Sequence, residues 1–450
     1  MPADAGAPAR RLVRRVEPVD HPVDATVEVP GSKSLTNRAL VCAALAGGRS
    51  TIDNALVADD ARAMRQALVA LGAGVEADDG ARRLEVTGTD GRLRPGPVAL
   101  DVHLSGTTSR FLLPVVAAFG EGSYRVDGAP PLRARPMGPV LDGIAALGAT
   151  VRAEGEPGHL PVTVVAPGST AGGDVPVAGD TSSQFVSGLL LAGPGTRGGI
   201  RLRVTTALAS RPFVDLTVDV MAAFGIPVSV AGEAADERGT LYRVPPGAYR
   251  ACRYRVEPDA SAASYPLAAA ALVGGRVTVA GLGSSTRQGD ARFADVLAAM
   301  GARVDRSADA TTVTGPTSPL RALGRVDLSD MPDVAQTLAV VAVFADGPTR
   351  VTGVGLIRGH ETDRVAAVVR ELRRAGVRAE EHPDGFTVHP GAPRPARIAT
   401  YDDHRMAMSF ALLGLRSPGI EIADPDCVTK TFPGFWRMLD DLRASGPPGR

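Results

Sequence analysis

Five times along the chain an apolar helix end runs into a glycine, and the pattern then switches to apolar–polar alternation broken by a polar turn. The segments are ALVALGAGVEADDGARRLEVTG, IAALGATVRAEGEPGHLPVTVV, DVMAAFGIPVSVAGEAADERGTLYRV, VLAAMGARVDRSADATTVTG and ELRRAGVRAEEHPDGFTVHPG. Their glycines, Gly72, Gly148, Gly225, Gly301 and Gly376, stand 76, 77, 76 and 75 residues apart, and a truncated sixth copy, MLDDLRASG, places Gly446 another 70 on. Each glycine suits the residue just past a helix C-terminus, where the backbone takes positive φ. The period-2 stretch that follows predicts a hairpin.

Between the hairpins a second element recurs once per unit: GSKSLTNRALVCAALAGG, LSGTTSRFLLPVVAAFG, GDTSSQFVSGLLLAG, PDASAASYPLAAAALVGG, SDMPDVAQTLAVVAVFADG and YDDHRMAMSFALLGL. Ser, Thr and Asp at the start are helix-capping residues. The helices that follow are apolar almost all round and are therefore predicted to be buried. Six such N-termini, turned toward one cleft, would gather anions. Repetition at fixed spacing outranks any local assignment. Three units per half predict two similar α/β domains, residues 32–255 and residues 1–31 with 256–450, joined by crossovers near 31 and 256. The strand ATVEVP precedes the first unit and is expected to pair with the second domain.

Composition narrows the class. The 450 residues exceed one ordinary core, and 44% hydrophobic with 22% charged residues is globular. Aromatics are 4%, so the core must be built from Ala, Val and Leu. A formal net charge of zero argues against nucleic acid or a membrane surface as partner. The longest apolar run, LAVVAVFA at 338–345, is too short to span a bilayer. The N-terminal RRLVRRVEPVDHP has no apolar core of a leader peptide and reads as a frayed extension. Cys42, Cys252 and Cys427 lie far apart with no CxxC spacing, as reduced cytoplasmic thiols do, and the seven histidines form no HxxxH or HExxH. No metal and no cofactor is expected.

The basic residues carry the sharpest chemical signal. Of 49 Lys plus Arg, only Lys33 in PGSKSLTNRAL and Lys430 in CVTKTFPGF are lysine, leaving 47 arginines. A surface charge can be Arg; a position that stays Lys suggests a compact ammonium that swivels between partners or moves a proton. GSKS is not a phosphate-binding Walker loop, because Ser32 and Val27 stand where that motif needs glycine. It is a polar turn opening a helix, with Arg38 one turn on.

Taken together, PGSKSLTNRAL, GTTSRF, RARPMG, SSQFVSGLLL, MPDVAQTLAV, RGHETDR, YDDHRMAM and TKTFPGF resemble, in order and spacing over residues 25–440, the enolpyruvyl transferases. The match is to the branch whose acceptor is shikimate 3-phosphate. The resemblance implies two inside-out α/β domains of three βαβαββ-type repeats each, with buried helices and the site in the interdomain cleft. It also implies metal-free transfer of the enolpyruvyl group of phosphoenolpyruvate to the acceptor's 5-hydroxyl. Lys33, Ser34, Arg38, Ser182, Ser183, Gln184, Ser210, Asp333 and His360 would then hold the acceptor, mainly on the first domain. Gly106, Arg135, Arg364 and Arg405, with Lys33, Gln184 and Lys430, would hold phosphoenolpyruvate. Asp333 would take the hydroxyl proton, and Glu361, with Lys33 as rival, would protonate the methylene carbon. A cytoplasmic monomer is expected.

Read alone, Asp333 is as readily a helix cap, Asp363 could equally be the partner of Arg364, and His404 is a hydrogen-bonding support. Four positions depart from the family pattern. His360 replaces a lysine and would have to be cationic to contact the acceptor phosphate; Phe213 replaces a tyrosine; Leu356 and Leu104 replace asparagines. They leave room for an enolpyruvyl transferase acting on a different cyclic alcohol. The sister enzymes acting on a nucleotide sugar are excluded, because LRARPMG lacks their reactive cysteine and Ser34 replaces their asparagine. A non-catalytic anion binder would have no need of the acid–base residues.

Overall fold

A computed structural model describes residues 12–232 and 239–446. The five repeat glycines all take positive φ, from 78° at Gly376 to 110° at Gly72. An antiparallel hairpin follows each, as in Gly74–Asp78 with Arg83–Thr87 and Ala379–His382 with Gly385–Val388. The hairpin's second strand pairs antiparallel with a strand that also has a parallel neighbour. In unit two the order is Val98–Asp101, parallel to Glu121–Asp127, then Val162–Pro167 and Thr150–Ala153. Five four-stranded sheets repeat this order.

The apolar helices run inside these sheets: Lys33–Leu45, Gly106–Phe119, Ser183–Ala192, Ala260–Val273, Ala335–Ala342 and His404–Gly414. Nearly every residue in them is buried. One core cluster draws on Leu35 to Val256, the other on Val16 to Val29 and Ala260 to Leu442. Small residues let the helices touch backbone to backbone: a Cβ on Gly188 would lie 2.2 Å from the Arg110 carbonyl oxygen. This is the inside-out α/β arrangement, with sheets outside and apolar helices within.

Two edge strands are exchanged between the first and fourth repeats. Val23–Val27 precedes the first buried helix but pairs in parallel with Gly275–Ala280, after the fourth. Arg253–Arg255 precedes the fourth buried helix but pairs in parallel with Arg49–Asp53, after the first. The two crossing segments are bonded to each other, Ser32 N–H to Glu257 O at 2.8 Å and Asp259 N–H to Pro30 O at 2.8 Å. Gly31 is required there, since a Cβ would sit 1.9 Å from Asn54 O.

The N-terminal extension is not frayed from Leu12 onward; Arg10 and Arg11 lie outside the described residues. Val13–Val16 forms a strand antiparallel to Ile420–Ala423, beside Ala396–Ile398. In this sixth sheet it takes the place filled by a hairpin strand in the other five, so the pairing edge is satisfied. The sixth-copy helix, Phe435–Ala444, closes on Ser445 rather than on a left-handed glycine. No helix among the described residues is long and apolar enough to cross a membrane.

Val16 is 3% exposed, and its side chain lies where a Cβ on Gly414 would come within 2.6 Å. Deleting residues 1–16 is therefore expected to lower the urea midpoint, because burial of one valine contributes roughly 1.5–3 kcal/mol and the strand bonds are lost as well.

Candidate active site

Ser32, Ser105, Ser182, Asp259 and Asp403 cap their buried helices through side-chain oxygens, as their residue types predict. The fifth unit differs. Its helix Ala335–Ala342 is entered through a 3₁₀ turn, Pro332–Val334, with no side-chain cap. Asp333 is not a cap: its carboxylate turns instead to Arg364 and Arg405.

Residues from five of the six helix starts line two adjoining cavities of about 60 and 50 Å³. The first is walled by Ser34, Arg38, Ser182, Ser183, Ser210 and Phe213 with Leu356 opposite; the second by Gly106, Arg110, Arg135, Glu361, Arg364 and Arg405. Lys33, Thr107, Gln184, Asp333 and His360 belong to both, and so mark the seam between them. A much larger cavity, about 1030 Å³, opens beside them at the cleft mouth. It shares only Asp60 with the second cavity, and Leu104 faces it rather than the site. The converging side chains, not the volume, locate the chemistry.

Arg364, 1% exposed, is the hub of the second cavity. Its Nε donates to Asp403 Oδ2 at 2.7 Å, and Nη2 donates to Asp403 Oδ1 at 3.2 Å and to Glu361 Oε2 at 2.9 Å. Nη1 donates to Asp333 Oδ1 at 3.1 Å and to His360 Nδ1 at 3.0 Å. All five N–H groups are used. Asp363 caps the helix Arg364–Arg374 and pairs with Arg358 at 2.7 Å, so the partner of Arg364 is Asp403 instead.

Asp333 also accepts from Arg405 Nη2 at 2.7 Å. Burial would raise its pKa, but Arg405, Arg364, His360 and Lys33 outweigh burial and hold it at about 2. Glu361 is likewise kept a carboxylate: burial opposes ionisation, while Lys430 at 2.7 Å, Arg364, and Arg135 at 3.6 Å favour it. Lys33 Nζ pairs with Asp60 at 3.2 Å. Gly106 has no room for a side chain larger than hydrogen without pressing on Arg135, whose Nη1 lies 3.2 Å from an ideal Cβ.

On the other side, Arg38 is 2% exposed and donates to Thr217 Oγ1, Ser34 O, Ser187 Oγ and Phe213 O. That leaves one N–H for the cavity. Its guanidinium lies 5.1 Å from the Phe111 ring centroid. Arg110 donates to Gln184 Oε1 at 2.9 Å and lies 5.0 Å from the Phe185 ring. Burial lowers Arg38 to about 9 and Arg110 to about 10, so both stay cationic at neutral pH. Neither makes an ion pair among the described residues. Seven cations in or against the cavities (Lys33, Arg38, Arg110, Arg135, Arg364, Arg405, Lys430) thus meet four carboxylates, Asp60, Asp333, Glu361 and Asp403. The excess invites anionic ligands.

With Arg364 on its Nδ1, His360 is neutral: burial, then Arg364, pushes it down to about 3. An arginine can only donate, so Nδ1 accepts and the proton sits on Nε2. The expected cation belongs to the phosphate-bound site, where a dianion would raise it. The expected hydrogen-bonding role of His404 is corrected: it is fully buried and makes no hydrogen bond among the described residues, its Nδ1 lying 3.9 Å from Asp403 Oδ1. Sequence reasoning missed Arg110, Thr107, Asp60 and Asp403. Arg110 was within sight in GTTSRF, four residues after the helix start at Gly106, as Arg38 is five after the helix start at Lys33.

Residues 19–439 match the family described as EPSP synthase (3-phosphoshikimate 1-carboxyvinyltransferase). The chain belongs to the EPSP synthase family. Among relatives, it is 44% identical over 427 residues to the 3-phosphoshikimate 1-carboxyvinyltransferase of Nostoc punctiforme, covering 94% of this chain and 98% of that one. Among solved structures, EPSP synthase from Acinetobacter baumannii superposes with a TM-score of 0.79 at 25% identity, covering 95% of this chain and 97% of the other. The enolpyruvyl transferase NikO from Streptomyces tendae shares the fold, with a TM-score of 0.76 at 21% identity and coverage of 97% and 98%.

Two outcomes are expected from this EPSP synthase site. Asp403→Asn should destabilise the protein by about 3–5 kcal/mol in denaturant titration, because it leaves the Arg364 charge buried beside a neutral group. In long-range ¹H–¹⁵N spectra of the free protein, His360 should show a protonated Nε2 and no titration between pH 5 and 9.

Proposed function

We propose that this chain transfers the enolpyruvyl (carboxyvinyl) group of phosphoenolpyruvate to the 5-hydroxyl of shikimate 3-phosphate and releases phosphate, a step of the shikimate pathway to chorismate and the aromatic amino acids. The observation that carries the reading is Asp333, an ionised carboxylate at the seam of two cation-lined cavities. Ser34, Arg38, Ser182, Ser183, Ser210 and His360 take the acceptor. Gly106, Arg135, Arg364, Arg405 and Lys430 take phosphoenolpyruvate, and Lys33 and Gln184 reach both. Metal is not needed, since the cations present can neutralise both substrates.

The acceptor hydroxyl lies at the seam, gives its proton to Asp333 and attacks C2, while the methylene carbon gains a proton. Return of a methyl proton to the group that supplied it, with cleavage of the C2–O bond to phosphate, then restores the carbon–carbon double bond as an enol ether and releases phosphate. With both arginines on it, Asp333 is a weak base. Phosphoenolpyruvate draws Arg364 and Arg405 toward its own oxygens, which raises the proton affinity of Asp333, so the base is switched on by the second substrate. Glu361, ion-paired to Lys430 and Arg364, has no proton to give in this arrangement. The ammonium of Lys33 has one, and Glu361 becomes a donor only after those cations turn to the phosphate. Neutral in the free site, His360 offers the acceptor its Nε2–H. We further propose that residues 32–255, and 1–31 with 256–450, close on the substrates as two bodies, and that the protein works as a cytoplasmic monomer. The free thiols of Cys42, Cys252 and Cys427 are consistent with that location.

Phosphate release from phosphoenolpyruvate is expected only when shikimate 3-phosphate is added, and chelator should not reduce it. Release with neither this acceptor nor a dephosphorylated analogue would refute the assignment. Lys33→Arg and Lys430→Arg should each lower kcat/KM by about 10- to 100-fold, the equivalent of losing one charge-assisted contact of roughly 1.5–3 kcal/mol. Values within twofold of wild type would remove the lysines from the mechanism.

A further inference from the structure

The turn Gly289–Arg292 packs against the turn Pro332–Val334 that carries Asp333, and it holds a buried carboxyl group that the reaction as described does not use. Asp290 is 3% exposed, in the short 3₁₀ turn Gly289–Arg292. Ser261, in the first turn of the helix Ala260–Val273, donates its hydroxyl to Asp290 Oδ2, and Oδ1 is buried with no hydrogen-bond partner among the described residues. The charged groups that act on it are Asp333 from the Pro332–Val334 turn, Arg405 from the sixth buried helix, and Asp259 at the cap of the fourth. Tyr265 from the same helix as Ser261 is also buried beside Arg405. Within its own turn, Arg292 is engaged with Asp330 at 3.1 Å.

The residues just before Asp290 touch both halves and the crossing segment. Gln288 holds the crossover strand: its Oε1 accepts from Ala260 N at 3.1 Å, and its Nε2 donates to Glu257 Oε2 at 2.9 Å and Pro258 O at 2.8 Å. Arg287 pairs with Asp219 of the first half at 2.7 Å. Gly289 is pressed between the halves, since a Cβ would lie 2.7 Å from Asp330 O and 2.9 Å from Pro212 Cβ. Pro212 stands between Ser210 and Phe213, which wall the acceptor cavity. These residues therefore link the crossing segment, the acceptor wall and the turn that carries the base.

We propose that Asp290 is a positioning residue for enolpyruvyl transfer: anchored by Ser261 and carried on the Arg287–Gly289 contact between the halves, it sets the electrostatic field at Asp333 and Arg405 and so the strength of the base. The inference rests on the reading of Asp333 given above. Burial first, then Asp333, raises the Asp290 carboxyl to about 7, against opposition from Arg405 and Ser261. Below that pH it is neutral. Above it, an anion appears next to Asp333, which increases the proton affinity of Asp333 and competes for Arg405, and both effects make Asp333 a better base.

The test is the pH dependence of phosphate release at saturating phosphoenolpyruvate and shikimate 3-phosphate. Wild-type kcat should rise through an inflection near pH 7 that Asp290→Asn lacks, so that the variant-to-wild-type ratio of kcat falls at least fivefold from pH 6 to 8.5. Both KM values should change less than threefold, because Asp290 touches neither substrate. Ser261→Ala removes a bond that favours the ionised carboxyl and should move the inflection to higher pH; it carries the test if Asp290→Asn does not fold. A kcat ratio constant across this range in an active enzyme, or an inflection unmoved in Ser261→Ala, would overturn the inference. Absence of wild-type turnover would instead overturn the assignment of the reaction.

Discussion

The site is organised around one guanidinium. Arg364 is buried, uses every donor it has, and joins Asp403, Asp333 and the adjacent pair His360 and Glu361, which come from three separate stretches of chain. A buried cation of this kind costs too much to leave with even one donor empty. The positions of both candidate acid–base carboxylates and of the histidine at the seam therefore follow from it. Its own position follows from Asp403, whose carboxylate both caps the sixth buried helix and takes two of the five bonds.

The charge distribution on the two sides differs in kind. In the second half the arginines are neutralised by carboxylates within the protein, so ligand binding there is an exchange of partners. In the first half Arg38 and Arg110 are held by carbonyl, hydroxyl and amide oxygens and rest against aromatic faces. Their charge is solvated by dipoles but not cancelled, and an incoming anion meets it directly. Binding on one side therefore adds charge balance, whereas binding on the other releases carboxylates to act as bases.

How much of this could be read in the sequence depended on the range of the interaction. The glycines at positive φ and the serine and aspartate caps are set by neighbours a few residues away, and the 76-residue period exposed them. The motifs at the starts of buried helices brought Lys33, Ser34, Gly106, Ser183, Gln184 and Arg405 into view, whereas Arg135, His360, Glu361 and Arg364 lie on other elements and were visible only through the family resemblance. Pairings between distant segments, such as Arg364 with Asp403 and Lys33 with Asp60, have no local signature. The strand Val13–Val16 was hidden for a related reason: four residues with two arginines gain strand structure only from the edge they pair with. The protonation state of His360 was hidden because it depends on a donor that the spacing alone did not aim at it.

The exchanged edge strands have a consequence for how the molecule is made. The first half is one continuous stretch whose last strand closes on its first, since Arg49–Asp53 must await Arg253–Arg255, whereas the second is split: Val23–Val27 leaves the ribosome long before its partner Gly275–Ala280. The first half can finish its sheet only as the chain turns into the second, and the second begins with a strand already synthesised and unpaired. Such long-range closure slows folding and leaves an edge exposed during synthesis. It also means that cutting the gene near 256 would leave the C-terminal fragment without Val13–Val16 and Val23–Val27, which the N-terminal fragment would carry unpaired.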